Sequence, residues 1–454
     1  MSSGMPMAVP LRGRVPGATS VAAEPFGDSG REVVIVRIDP ALRRGALGEE
    51  DGLSIAAAAG AALELRIPLV CVLATSGADA HEGVAALHGW GVAARAFAGC
   101  SGIVPILVAV TGPAMSGPAL LLGQADVVVM TVDAVAYVSG PATVAEMTGQ
   151  RLAPAELGGA AVHARSTGVA CFVAADREEA EALLSAVLDH LPDHADALAP
   201  RIGSDDPTSR PTPELADLLP ATAAGSYDVR EVAGAIADDG ALLELRAGWA
   251  PQLVTALGRV DGTSVGFVAN QPRAMAGTLD IAASQKGARF VAFCDAFNIP
   301  LITLVDTPGF MPGKDLEWRG MIRHGAQLVH AYAQATVPRI CLILRKAYGG
   351  AYIVMDSKAM GNDLCVAWPS AEVAVMGAEG AVQILHRRVD VETQSRLVGE
   401  YRADYLNAYR AAERGYVDAV IDPAETRAVI CASLVQLSSK REVIPGRKHS
   451  NTPL

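Results

Sequence analysis

The chain has 454 residues, is 51% hydrophobic and 19% charged, and carries a formal net charge of −12. That length suits two or three domains with sizeable cores. The acidic balance, with no basic run and no lysine before Lys286, argues against a nucleic-acid partner.

In chain order, residues 1–30 are rich in Pro, Gly and Ser and are expected to be flexible and loosely attached. They lack the apolar core of a secretory signal. The longest apolar stretch, Leu53 to Leu63, is too short to cross a bilayer, so a cytoplasmic protein with no membrane partner is expected. The β-branched run from Arg31 to Ile38 predicts a strand, and the Ala-rich run from Gly52 to Leu65 a helix. A buried strand from Ile67 to Ala74, a helix from Gly83 to Cys100 and a strand from Val104 to Thr111 follow. Two short strands come next, Val127 to Met130 and Val135 to Val138. Strand and helix alternate, which predicts α/β architecture with parallel strands and helical crossovers.

Residues 195–226 break the pattern with Pro, Ser and Asp and read as a linker. A first domain over 31–194 and a second over 227–454 follow from that reading. The second half repeats the order: strand Ser264 to Ala269, helix Ala282 to Phe297, strand Leu301 to Val305, helix Gly320 to Gln334, strand Ile340 to Leu344. A charged helix is expected over 392–414 and an irregular basic tail after it.

The halves repeat in detail. Ile67-Pro68, Val104-Pro105, Gly117, Asp126 and Gly140 recur as Ile299-Pro300, Val337-Pro338, Gly350, Asp363 and Gly377, at offsets of 232 to 237. A nearly constant offset implies two copies of one fold. Each copy places a glycine turn after a strand, where backbone N–H groups can face a developing negative oxygen. In the second half the donors are Gly350 and Ala351, in the run RKAYGGAYIVM, with Tyr348 and Gly349 beside them. VDTPGFMPG brings Gly309 and Phe310 to the C-terminal end of a strand, where α/β ligands bind. In the first half Ala78 and Gly117 are the matching donors, with Ser116 alongside. Pro118 has no N–H to give. His81, on the loop nearby, reads as solvent-facing, and His88, His163 and His324 receive no role. The seven cysteines are far apart with no CxxC pair, which excludes a zinc ribbon, and no metal is expected.

These runs, together with DVREV, GRVDGTSVGFVANQP, AGTLDIAASQKGARFVAFCDAFNIPLITLVDTPGF and AWPSAEVAVMGAEGAVQIL, strongly resemble the carboxyltransferase β subunits of biotin-dependent acyl-CoA carboxylases. The resemblance implies two tandem crotonase-like ββα spirals. It implies a reaction in which carboxybiotin, brought by a separate carrier protein, releases CO₂, and the freed biotin nitrogen takes the α-proton of an acyl-CoA. The enolate then attacks CO₂. ATP is used only by a biotin carboxylase partner. The first-half hole (Ala78, Gly117) would serve the thioester and the second-half hole (Gly350, Ala351) the ureido oxygen of biotin, with Gly309, Phe310, Tyr348 and Gly349 lining the biotin pocket. Ile353 falls at the family's acyl-size position, where isoleucine resembles acetyl-accepting members. The holes would meet between subunits of a dimer, in a homo- or mixed hexamer built as a trimer of dimers.

The first half departs from the family pattern. Its TSGAD (75–79) stands where the family has roughly SGGAR, and Met115-Ser116-Gly117-Pro118 where it has roughly AGGA. Asp79 replaces an arginine on the side that should meet the phosphates of CoA, where a carboxylate repels unless another base compensates. Leu120 occupies the position of the hydratases' catalytic glutamate, which disfavours hydratase chemistry. Transfer to another acyl thioester, decarboxylation, and a non-catalytic partner subunit remain as alternatives.

Overall fold

The computed structural model describes residues 17–220, 222, 225–387, 389–440, 442–446 and 448–453. The chain divides into two compact units, Met1–Leu198 and Ala199–Leu454.

In the first unit β1 (Thr19–Phe26) and β2 (Arg31–Ile38) form an antiparallel hairpin. Helix α1 (Glu49–Leu65) then returns the chain to β3 (Leu69–Thr75), parallel to β2. Helix α2 (Val84–Cys100) leads to β4 (Ile106–Met115), parallel to β3. β4 is long enough to pair twice. Leu107–Val110 pair with β5 (Val127–Thr131), and Pro113–Met115 with β6 (Val135–Tyr137). That double pairing turns the sheet into a spiral and brings the end of β4 away from β5. A last strand, β7 (Phe172–Ala174), extends the sheet beyond β5. The sheet is buried on both faces: Val34, Val36, Leu69, Cys71, Ile106 and Val108 sit in one core with Ile55, Ala58 and Phe97 of the helices.

The second unit repeats this plan. β8 (Leu242–Glu244), β9 (Leu253–Val260) and β10 (Thr263–Asn270) are antiparallel. Helix α3 (Ile281–Ala296), strand β11 (Leu301–Thr307), helix α4 (Met321–Gln334) and strand β12 (Arg339–Tyr348) follow. β10, β11 and β12 are parallel. β12 also pairs twice, through Ile340–Ile343 with β13 (Leu364–Ala367) and through Lys346–Tyr348 with β14 (Glu372–Ala374). Helix α5 (Gly349–Val354) starts directly after β12. The tandem spirals that the resemblance implied are therefore present, α/β in both halves.

Four expectations change. The segment 1–30 is not loose where it is described, since Thr19–Phe26 pairs along its length with Arg31–Ile38; residues 1–16 lie outside the described residues. Each sheet begins with antiparallel strands, because turns such as Asp261-Gly262, both at positive φ, join neighbouring strands directly. The stretch after Leu198 is anchored to the second unit, and Leu215 lies in that unit's core. Its backbone carbonyls take part in the anchoring. Buried Arg427 donates to Pro207 O at 3.2 Å, to Asp206 O at 3.2 Å and to Asp238 at 2.7 Å. The late helix is two, Val391–Tyr405 and Ala408–Glu413, because Asn407 caps the second by accepting from Arg410 N–H at 2.9 Å.

Seven buried cysteines form no disulfide, and no helix among the described residues is long and apolar enough to cross a membrane.

Candidate functional site

Both glycine turns sit where two parallel strands part. In the first unit the β3/β4 ladder reaches Thr75 and Ala114 after a register shift, and then the strands diverge. Leu47 holds the outer side of the departing β3 chain. Its N–H donates to Gly77 O at 2.9 Å, and Asp79 N–H donates to Leu47 O at 2.8 Å. In such a parallel bridge the N–H of the residue between, Ala78, faces the other way, toward the end of β4. There Ser116 N–H is used by Tyr137 O at 2.9 Å, and Gly117 opens a short 3₁₀ turn, Gly117–Leu120. The first N–H groups of such a turn have no partner within it. The two segments are close: a methyl added at Gly77 would stand 3.1 Å from Met115 O and 3.2 Å from Ser116 Cβ. The Gly77-Ala78 segment and the Ser116-Gly117 turn are thus neighbours.

The second unit has the same construction. Leu279 N–H donates to Gly309 O at 3.2 Å, and Met311 N–H donates to Leu279 O at 2.8 Å, which leaves Phe310 in the place of Ala78. Gly349, at φ +59, and Gly350 follow β12 as Ser116 and Gly117 follow β4. A methyl added at Gly350 would stand 3.6 Å from the Phe310 ring. Gly309, Phe310, Gly349, Gly350 and Ala351 are therefore neighbours. Ile353, 40% exposed, lies one helical turn beyond Gly350. Tyr348 is different. Its ring packs with Ala378 and Leu406, and its hydroxyl donates to Glu372. Burial, and then the Glu372 carboxylate, push that hydroxyl well above the usual tyrosine range. Its side chain supports the turn from behind.

Ser116 shows what the turn requires. It holds φ +63 with ψ −147, a region that suits glycine. Its counterpart is Gly349. Ser116→Gly is therefore expected to raise the unfolding free energy by about 1 kcal/mol, the strain released less the added freedom of the unfolded chain. A denaturant midpoint that falls instead would refute the strain.

A buried ion pair positions the second-unit loop. Asp306, the residue before Thr307-Pro308-Gly309, accepts from Arg345 Nε at 3.0 Å and from Lys346 N–H at 3.1 Å. Its own N–H donates to Asn270 at 3.2 Å. Burial pushes its carboxyl up from the ordinary range while Arg345 pulls it down. Arg345 also donates to Gly225 O at 2.9 Å.

Asp79 does not face a ligand. Its carboxylate accepts from His81 N–H at 2.9 Å and from Arg43 at 2.8 Å, and it is 5% exposed. The His81 N–H, first of all, and Arg43 hold it below the usual carboxylate range. Arg43 also reaches Asp51 at 3.2 Å and Glu82 at 3.3 Å. The charge that seemed ill-placed is consumed inside the unit. The His81 side chain itself is 98% exposed. Among the described residues no cluster of His, Cys, Asp and Glu could hold a metal ion.

One residue at the site escaped sequence reading. A methyl added at Gly117 would stand 2.7 Å from Trp90 Nε1. Trp90 is one of only four tryptophans. Its scarcity was the available signal, but helical spacing alone assigns it to a core face.

The carboxyl transferase domain family matches residues 20–452. The chain is 42% identical to the carboxyltransferase subunit of propionyl-CoA carboxylase from Haloferax mediterranei, covering 94% of this chain and 84% of that protein. It is 40% identical to the methylmalonyl-CoA carboxyltransferase 12S subunit of Propionibacterium freudenreichii, covering 98% and 84%. A solved transcarboxylase 12S structure, a hexamer with methylmalonyl-CoA and methylmalonic acid bound, superposes with a TM-score of 0.94 at 40% identity over 96% of this chain and 85% of that one. With family, sequence and solved fold agreeing along nearly its whole length, the chain belongs to the carboxyl transferase family.

Proposed function

We propose that this protein is the carboxyltransferase component of a biotin-dependent acyl-CoA carboxylase. It moves a carboxyl group from biotin on a carrier protein to the α-carbon of acetyl-CoA or propionyl-CoA, giving malonyl- or methylmalonyl-CoA. The observation that carries this reading is the pair of equivalent backbone turns, one per unit, each with free N–H groups beside a glycine that leaves room for close approach. Two turns suit a reaction in which two carbonyl oxygens, a thioester and a urea, must each be held.

The residues of the second unit fit biotin. A ureido oxygen accepts hydrogen bonds and carries no net charge, so it asks for N–H donors and an apolar wall, and Gly350, Ala351, Gly309 and Phe310 supply these. When bound, biotin provides the carboxyl group and a ring nitrogen able to take a proton. The N–H groups of Gly350 and Ala351 hold its oxygen, Phe310 covers the ring, and Gly349 and Tyr348 fix the turn. In the first unit the N–H groups of Ala78 and Gly117 hold the thioester oxygen. As the α-proton leaves, charge accumulates on that oxygen, and fixed donors then stabilise it more than they do the ground state. Ser116 lies against the acyl group, and Ile353 limits its size.

The protein works in a hexamer, of its own kind or mixed with related β subunits, with a biotin carboxylase that alone consumes ATP, in the cytoplasm. A relative 38% identical is the α subunit of methylmalonyl-CoA decarboxylase from Veillonella parvula, so the same turns also suit the reverse direction.

The test is transfer of label from carbon-14 bicarbonate to acetyl-CoA and propionyl-CoA, with biotin carboxylase and biotinylated carrier present. Labelled malonyl- or methylmalonyl-CoA is expected. Absence of label in every acyl-CoA, with the carrier shown to be carboxylated, would refute the forward reading. Carrier carboxylation from methylmalonyl-CoA alone would then assign the reverse one.

A further inference from the structure

The two units repeat the turn but not what lies against it. In the second unit the ring facing the turn glycine is Phe310, from the loop after β11. The matching residue of the first unit, Ala78, has no ring. The aromatic there comes from helix α2 instead. A methyl added at Gly117 would stand 2.7 Å from Trp90 Nε1, 2.9 Å from Cε2 and 3.2 Å from Cδ1, so the nitrogen edge of the indole meets the glycine. Helix α4 carries Ile322, 84% exposed, 232 residues further on.

Trp90 is half-buried, and its ring packs against the core of the first unit. Its indole N–H makes no hydrogen bond among the described residues. A tryptophan whose apolar body is packed commonly finds a partner for its one donor. The turn beside it is short of donors, because the residue after Gly117 is proline. A donor edge is thus set against the glycine of a turn that has lost an N–H.

We propose that the Trp90 indole N–H donates a hydrogen bond to the thioester oxygen of the acyl-CoA held at the Ser116–Gly117 turn. This rests on the reading of that turn as the acyl site. When the α-C–H bond breaks, its electron pair forms the double bond to the thioester carbon. The carbonyl π pair moves onto the oxygen, and the proton leaves to the base that accompanies the carboxyl donor. The indole hydrogen bond strengthens as that oxygen becomes negative, and weakens again when the α-carbon adds to the CO₂ released from the donor, the enolate double-bond pair forming the new C–C bond and the thioester carbonyl being restored. Trp90 is then a catalytic residue, with Gly117 and Ala78 as its backbone partners.

The experiment uses the full chain with its biotin carboxylase and biotinylated carrier. It compares wild type, Trp90→Phe and Gly117→Ala. Trp90→Phe keeps an aromatic ring and deletes the donor. Its kcat/KM for acyl-CoA carboxylation is expected to fall about 100-fold, the usual loss for one oxyanion donor, part of it as weaker binding of the thioester. If Trp90→Phe also melts earlier, binding decides. Weaker binding of the thioester but not of an S-alkyl CoA lacking the carbonyl oxygen supports the donor. Equal weakening of both overturns it. Trp90→Phe turnover within twofold of wild type, with Gly117→Ala inactive, overturns the role of Trp90 and leaves the acyl site standing. Full activity in both variants overturns the acyl site itself.

Discussion

Gly117→Ala is expected to lower kcat/KM for acyl-CoA by about 10²–10³-fold while the protein stays folded. The added methyl would lie 2.7 Å from Trp90 Nε1 and 2.9 Å from Cε2, too near for ordinary contact. The indole is a half-buried side-chain end rather than backbone, so it can swing aside. The fold survives that movement. The hole does not, because the methyl then occupies the approach to the Gly117 N–H. Steady-state transfer at varied acyl-CoA, with a melting curve alongside, measures both. Gly350→Ala is the informative contrast, since its methyl meets Phe310 at 3.6 Å, an ordinary distance. Any loss there is expected to come from crowding at the turn itself, where the proposed biotin site lies. A Gly117→Ala enzyme with wild-type kcat/KM would remove the first unit's turn from the reaction.

Asp306→Ala is expected to destabilise the second unit by about 3–5 kcal/mol. The carboxylate is 1% exposed and Arg345 10%, so deletion leaves a buried guanidinium without its counter-charge and Lys346 N–H without its acceptor. The intact pair need not stabilise much, since desolvation offsets its attraction; the cost comes from breaking it. Asp306→Ala/Arg345→Met should therefore recover part of what Asp306→Ala alone loses. Denaturant unfolding of all three proteins checks this, and a double variant no better than the single one contradicts it. The pH dependence has a definite sign. Burial raises the Asp306 carboxyl above its unfolded value, so the folded protein binds that proton more tightly. Its contribution to stability declines as pH rises from the ordinary carboxyl range through the raised pKa, and is constant above it. Asp306→Asn should flatten that slope. The loop carrying Gly309 and Phe310 starts one residue later, so carboxyl transfer from the carrier should fall with stability.

Much of the molecule was legible in the residue order. The runs from Arg31 to Ile38, Leu301 to Val305 and Ile340 to Leu344 announced strands because a sheet buried on both faces needs unbroken β-branched and aliphatic residues. The repeat fixed the equivalence of Gly117 and Gly350, and with it two matching turns rather than one. The hairpin strands Thr19–Phe26 and Leu253–Val260 were less visible. Each draws its pairing from a neighbour in the sheet rather than from its own composition, as Ala22, Ala23, Glu24 and Pro25 illustrate. The stretch after Leu198 looked like a linker for the same reason: what holds it is Arg427, more than 200 residues away.

The sequence by itself determined that one fold occurs twice and that each copy ends a strand in a glycine turn. These follow from local periodicity and from spacing, which any stretch of chain carries within itself. Only the tertiary structure decided that Asp79 turns inward to Arg43, that Ser116 occupies a glycine's conformation, and that Trp90 reaches Gly117 from a different helix. Those are facts about which distant atoms share a few ångströms, and side-chain direction at that scale is set by packing, not by residue order.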